Sequence, residues 1–183
     1  MSEYPILHQI PMGIRWLRGI RAMPDRRYKY HGNVSDIGND GKYAPLLLAR
    51  SKISSDDSLF DSTKDWFRKQ LSTDIDINTG EDSFSRESSY RVMIKHSSQL
   101  SYSNIVDTGD GISQVLPIVV AMKSLLFESN PILYIIEQPE LHLHPQAHAA
   151  VAELMIDVAE KNPIVICWSK HIPKPLYCEF AGL

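Results

Sequence analysis

Apolar and polar residues alternate most regularly in the last third of the chain. Val115, Leu116, Ile118, Val119, Met122, Leu125 and Leu126 recur at the spacing of one helical face. They predict a helix capped by Ser113 and running to about Phe127, with Pro117 in its first turn, where a missing N–H costs least. Ile132 to Ile136 is a continuous apolar run between Pro131 and Glu137, as in a buried parallel strand. Pro145 can open a second helix ending near Lys161. Pro163 then precedes another apolar run, Ile164 to Ile166. Helix, strand, helix and strand with short connections imply α/β layering.

The earlier pattern is weaker. Tyr90, Val92 and Ile94 alternate with Arg91, Met93 and Lys95, the period of a half-buried strand, and a second short strand is predicted over residues 99–105. Trp66, Phe67 and Leu71 suggest a helix capped by Ser62 or Thr63, and residues 44–50 a shorter one. Ser51 to Ser62 reads as exposed, residues 32–42 as loop and residues 78–88 as a mobile connection. Pro5, Pro11 and Gly13 interrupt any period in residues 1–20, which predict no clear element.

Composition changes this picture little. The 183 residues are 43% apolar and 22% charged, with a net charge of -3. That is ordinary for a globular domain and gives no global drive toward nucleic acid. Two late cysteines, Cys167 and Cys178, form no disulfide framework, and a reducing cytoplasmic setting is the default expectation. The longest apolar run is too short to span a membrane. Residues 15–30 are basic through Arg15, Arg18, Arg21, Arg26, Arg27 and Lys29. They read either as a solvated face or as a phosphate or partner contact.

Two segments carry candidate chemistry. In Gly109-Asp110-Gly111-Ile112-Ser113-Gln114, paired glycines and a capping Ser make either an ordinary turn or an anion site at a helix start. In residues 132–145, ILYIIEQPELHLHP, a buried strand delivers Glu137 at its carboxyl end, where ligands bind in open α/β sheets. An acid there can hold magnesium directly or through water, and Gln138 or Glu140 can orient an attacking water. The bland alternative is a polar strand end. Glu140, His142, His144 and His148 also raise a zinc reading and hence a metal-dependent hydrolase, but their spacing fits neither a strand face nor HExxH.

GDGISQVLPIV followed, after a helix, by ILYIIEQPELHLHPQAH resembles the C-terminal half of the ATPase domain of OLD-, RecF- and SMC-like proteins. It is similar above all to prokaryotic AAA-type ATPases whose Walker B reads E(E/Q)PExHLHP. Residues 16–28, WLRGIRAMPDRRY, resemble a YLGPxRxxPxR region of the same proteins. The resemblance implies an incomplete P-loop NTPase-like, ABC ATPase-type three-layer α/β domain with a partly parallel sheet and a small antiparallel segment. It implies that ATP is sandwiched between two such domains, in a homodimer or with a partner ATPase subunit, with DNA as a possible further partner. Gly109, Gly111, Ser113 and Gln114 then match the signature element, which meets the γ-phosphate across the interface. Glu137 matches the Walker B acid that serves Mg2+. Gln138 stands where many relatives carry the catalytic carboxylate, with Glu140 able to assist. His144 and Pro145 fall in the D-loop.

The resemblance has gaps. No GxxxxGK(S/T) occurs in the 183 residues, so the chain alone is expected to bind ATP weakly and hydrolyse little. The expected organisation is a middle segment over 1–104, a signature and Walker B core over 105–166, and an aberrant tail over 167–183. Relatives carry a THSE-like segment after the last strand. Codons compatible with Cys167 to Leu183, read two bases later, can spell it, so the tail is expected to be a frameshift product in which His171 is a coincidence. A fragment of an ATP-hydrolysing domain, inactive alone, is the leading expectation; a non-catalytic interaction module completing an ATP site whose P-loop lies on another polypeptide is the alternative. A sheet lacking its P-loop strand should also leave apolar surface exposed, with a risk of aggregation.

Overall fold

The structure is a computed structural model that describes residues 13–30, 32, 34–54, 56–79, 89–130, 132–161 and 165–169, with the backbone alone at Asp110, Gln146 and 165–169. It is a mixed α/β fold with two sheets. The first is parallel and three-stranded. In it β6 (Ile132–Ile136) lies between β1 (Gly13–Leu17) and β7 (Val165–Ser169), so the strand order is β1-β6-β7. The register pairs Ile14 with Leu133, Trp16 with Ile135 and Leu17 with Ile136. The second is antiparallel. There β4 (Ser89–His96) pairs with β3 (Thr73–Asn78) on one side and β2 (Tyr28–Lys29) on the other, and the short β5 (Ser103–Asn104) also joins β4.

Among the described residues, four helices cover these sheets. α1 (Ala44–Ile53) has Pro45 in its first turn, where no N–H is needed, and buries Leu46, Leu48 and Ala49. α2 (Ser58–Leu71) packs Phe60, Trp66 and Phe67 inward and lies against β3. It stops at Ser72, which adopts a left-handed backbone (φ 49°) and returns its N–H to the Phe67 carbonyl. α3 (Asp110–Leu125) is buried continuously from Ser113 to Met122 and packs on α1, α2 and α4 (Pro145–Lys161). A helix apolar on nearly every side has to sit centrally.

Several expectations need correction. Residues 1–20 were expected to form no element, yet β1 occupies Gly13–Leu17. Its only fully buried side chain is Leu17, so the strand exists through pairing with β6, which leaves almost no local pattern to read. β3 is a further strand, in which the buried Ile75 and Ile77 alternate with Asp74 and Asp76. The second strand expected over 99–105 is two residues long and leads into a 3-10 turn at Ile105–Asp107. α2 begins at Ser58; Thr63 is not its cap but a core residue whose hydroxyl has no partner among the described residues. α3 begins at Asp110 behind Gly109, so Ser113 does not cap it, and Pro117 lies two turns inside. Gly109 takes the cap position because its positive φ of 81° suits a residue without Cβ.

The strand over 132–136 and the helix from Pro145 to Lys161 match the sequence reading. The last apolar run becomes β7, whose backbone continues past 166 to Ser169. Of the mobile connection expected over 78–88, Asn78 ends β3, and residues 80–88 lie outside the described residues, as does the expected tail beyond Ser169.

The parallel sheet has unequal faces. Leu17, Ile132, Tyr134 and Ile136 share the face turned into the core. Ile14 and Trp16 share the other face with the half-buried Leu133 and Ile135, and remain 69% and 48% exposed. Ile20 and Met23, just beyond β1, are also exposed. Elsewhere among the described residues, Ile53, Leu100, Val106 and Phe127 are exposed as well.

Candidate functional site

The carboxyl ends of β1 and β6 lie side by side, and the chain leaving β1 holds the turn leaving β6. Leu17 accepts the Glu137 N–H at 2.9 Å. The Gly19 N–H donates to the Glu137 carboxylate Oε2 at 3.3 Å. Arg21 Nη2 donates to the carbonyls of Glu137 (3.1 Å) and Gln138 (3.0 Å). Gln138 sits in the left-handed region (φ 44°), and its carbonyl also receives the Leu141 N–H at 3.1 Å. Leu143 donates to the Glu140 carbonyl at 3.1 Å, closing a second tight turn before α4.

Arg21 is 4% exposed. Burial pushes its guanidinium pKa down to about 10, partly opposed by the charge of Glu140. No Lys or Arg side chain pairs with the Glu137 carboxylate among the described residues. A half-buried carboxylate at a strand end, steadied by one backbone N–H and not neutralised by a cation, suits a hard divalent ion. The residues present thus fit Mg2+ at Glu137.

The start of α3 meets the same loop from another direction. A Cβ added to Gly111 would lie 3.7 Å from the His142 carbonyl, so the helix start packs beside the turn that follows Glu137. Thr108, Gly109, Gly111 and Ile112 line a cavity of about 320 Å³ together with Leu143, His144, Thr73 and His96. Thr73 Oγ1 and His96 Nδ1 are 2.9 Å apart on its wall. Gly109, Gly111 and His144 are therefore brought together, with Pro145 at the head of α4 next to them. Ser113 and Gln114 are not: each is 5% exposed inside α3, and Ser113 lines a different cavity of about 240 Å³ with Asp25, Tyr28 and Lys42. Their burial follows from the helix starting three residues before Ser113, which turns these side chains toward the protein.

The segment between the two groups is the basic stretch. Arg26 forms a two-pronged ion pair with Asp107, just before α3, and Asn104 Nδ2 donates to the Arg26 carbonyl at 2.9 Å. Residues 19–28 thus reach from the Glu137 turn to the approach of α3. Arg18, Arg27 and Lys29 remain exposed, whereas Arg21 belongs to neither alternative read from sequence: it is a buried backbone clamp. Gly19 and Arg21 are the residues that sequence reasoning did not place in the site. The signal available was the regular WLRGIR segment itself, but nothing local marked Arg21 as the buried one.

No three His, Cys, Asp or Glu side chains cluster within metal-holding reach among the described residues. His142, His144 and His148 are all exposed, and His142 is turned by a left-handed backbone (φ 63°). The histidine-based zinc site finds no support in this geometry. No helix of the described residues is long and apolar enough to cross a membrane.

Comparison with solved structures shows the fold. The chain is similar to the SmcHead bound to the C-winged helix domain of ScpA, with a TM-score of 0.53 and 12% identity over 74% of this chain and 44% of that one. It is also similar to the Smc head domain with an extended coiled coil bound to the C-terminal domain of ScpA from Pyrococcus furiosus, with a TM-score of 0.50 and 12% identity over 70% and 31% of the two chains. The chain spans less than half the length of either structure. No curated protein matches it. A family profile described as the AAA ATPase domain matches residues 47–168, more than half of the chain and including α3, the Glu137 strand and α4. With an SMC-head-like α/β fold and that match, the chain belongs to the AAA ATPase domain family.

Proposed function

We propose that this chain supplies the acid-bearing and helix-start half of an ATP-hydrolysing site whose phosphate-binding loop lies on another polypeptide segment. The observation that carries the reading is the placement of Glu137: at the carboxyl end of the central parallel strand, its carboxylate steadied by Gly19, with the α3 start packed against the same loop. Mg2+ bound through Glu137, directly or through water, would neutralise triphosphate charge. Gln138 orients the attacking water as a neutral amide but cannot take its proton. Glu140, two residues on, is the nearest carboxylate in sequence that can do so.

The exposed Gly109 and the adjoining Gly111 present the N-terminal end of a 16-residue helix, which favours a phosphate oxygen. The γ-phosphate contact assigned to Ser113 and Gln114 from sequence moves to this backbone, because both side chains are buried. His144 and Pro145 lie where a second ATPase domain would dock, in a homodimer or with a partner subunit. DNA is a candidate cargo, with the exposed Arg18, Arg27 and Lys29 as its most basic approach. A cytoplasmic setting is part of the same proposal.

The test is MgATP turnover by this chain mixed with a P-loop-bearing polypeptide of the same family. Turnover is expected in the mixture and not in either part alone, and Glu137→Gln is expected to lower it about a hundredfold. A mixture no more active than the P-loop polypeptide alone would overturn the reading. Equal turnover by Glu137→Gln would overturn the role of Glu137.

A further inference from the structure

We propose that Arg21, with Gly19, is a positioning residue that fixes the directions of the Glu137 carboxylate and the Gln138 amide; this rests on the ATP-site reading above. Three alternate residues of one segment take hold of one turn. Leu17 accepts the Glu137 N–H, Gly19 donates to its carboxylate, and Arg21 Nη2 donates to both the Glu137 and Gln138 carbonyls.

Stability does not explain this arginine. It is 4% exposed, and its Nε and Nη1 have no hydrogen-bond partner among the described residues. A buried cation with unmet donors is unfavourable, and an apolar side chain of similar volume in such a place is often as stable or more so. A phosphate contact does not explain it either, because those nitrogens are closed off from solvent. What Arg21 provides is geometric. Gln138 adopts a left-handed backbone that a residue with a Cβ avoids, and two donors, Arg21 and Leu141, converge on its carbonyl to keep it there.

Gly19 completes the arrangement. A Cβ at this position would come within 2.5 Å of Gln138 Oε1 and 3.3 Å of its Cδ. The backbone of the segment therefore lies directly against the amide proposed to hold the attacking water. Gly19→Ala pushes on the far end of a flexible side chain, so it redirects Gln138 without disturbing the core.

Two measurements test this together. The first is amide hydrogen exchange on the full chain. In Arg21→Met, exchange at Gly19 and Leu141 is expected to quicken while the β6 amides and the thermal midpoint hold. The second is MgATP turnover in the mixture with the P-loop-bearing polypeptide. Arg21→Met and Gly19→Ala are each expected to lower kcat about ten- to a hundredfold with KM for ATP unchanged, and Arg21→Lys to recover part of the loss. Unchanged exchange at Gly19 and Leu141 overturns the clamp. Unchanged kcat in an active mixture, or a raised KM with kcat intact, overturns the positioning role. An inactive wild-type mixture overturns the ATP-site reading and the positioning role with it, while the exchange data still show whether the clamp exists. Should Arg21→Met fail to fold, Gly19→Ala carries the same kcat test with Arg21 in place.

Discussion

Replacing Gly41 with Ala should be one of the most damaging one-carbon changes in the chain. Gly41 has φ 78°, and a Cβ there would stand 2.6 Å from Cβ and 2.9 Å from Cγ of Pro117. The left-handed backbone costs a residue with a side chain about 1–2 kcal/mol. The collision adds about 1–3 kcal/mol, the usual cost of overpacking, because the proline ring is rigid and set in the buried helix α3. The reduced freedom of the unfolded chain returns about 0.4–1 kcal/mol. The net loss is roughly 1–5 kcal/mol, a large share of the roughly 5–15 kcal/mol that holds a typical domain together. Gly109→Ala is the matched control: its φ is 81°, but nothing lies within 4 Å of the added carbon, so only the backbone cost applies. Urea unfolding of both variants gives the difference, read as a shift in midpoint at constant slope. Gly41→Ala should be less stable than Gly109→Ala by at least about 1 kcal/mol. Equal stabilities would refute the reasoning, since they would mean that the 36–43 loop does not press on Pro117. The loop also accepts the N–H groups of Arg18 (Asn39, 2.9 Å) and Ala22 (Asp40, 2.8 Å), so Gly41→Ala should speed amide exchange across the Glu137 clamp as well.

Other outcomes follow from burial and charge. Burial opposes ionisation of Asp74, but hydrogen bonds from Arg68 and Tyr102 and the charge of Lys64 outweigh it and hold the pKa below the ordinary value. A depressed carboxylate contributes stability above its unfolded pKa and loses it as pH falls through the folded one. Asp74→Asn should therefore lower the thermal midpoint at pH 7 and narrow its gap to the wild type below about pH 4. Tyr90, stacked on Tyr28 at 5.4 Å, has its pKa raised by burial, and Tyr28 is pushed up to about 12 by the same cause. Stability from these phenols is complete below about pH 10 and lost as pH rises through the folded values, so Tyr90→Phe should lose less stability than the wild type between pH 10 and 12. Changing both Ile14 and Trp16 to Ser should reduce binding of a hydrophobic dye and slow aggregation, measured by fluorescence and light scattering.

What could be read in the sequence was what the chain encodes locally. β6 and α4 carry their own period and their own proline signals, and they stand where the pattern put them. Glu137 was legible because an apolar run ending in an acid is a local feature. β1 was not, since its burial alternates against its hydrophobicity, with Ile14 and Trp16 exposed and Arg15 between them half-buried. The start of α3 was misplaced by four residues because Ser113 resembles a cap, while the real cap is Gly109, suited by its φ. Arg21 was beyond reach from sequence: among six basic residues in 15–30, only the fold decides which is buried and which faces water.

Everything functional depends on whether nucleotide comes to the Glu137 turn and the α3 start at the same time. Paramagnetic broadening of backbone amide signals by Mn2+ with ATP, recorded on the isotope-labelled chain, reads this directly even if binding is weak. Broadening is expected at Gly19 and Glu137 when the metal sits on the acid, and at Gly109 to Gly111 once the P-loop-bearing polypeptide is added. Broadening confined to other surfaces, with these amides sharp in both conditions, would contradict the ATP-site reading.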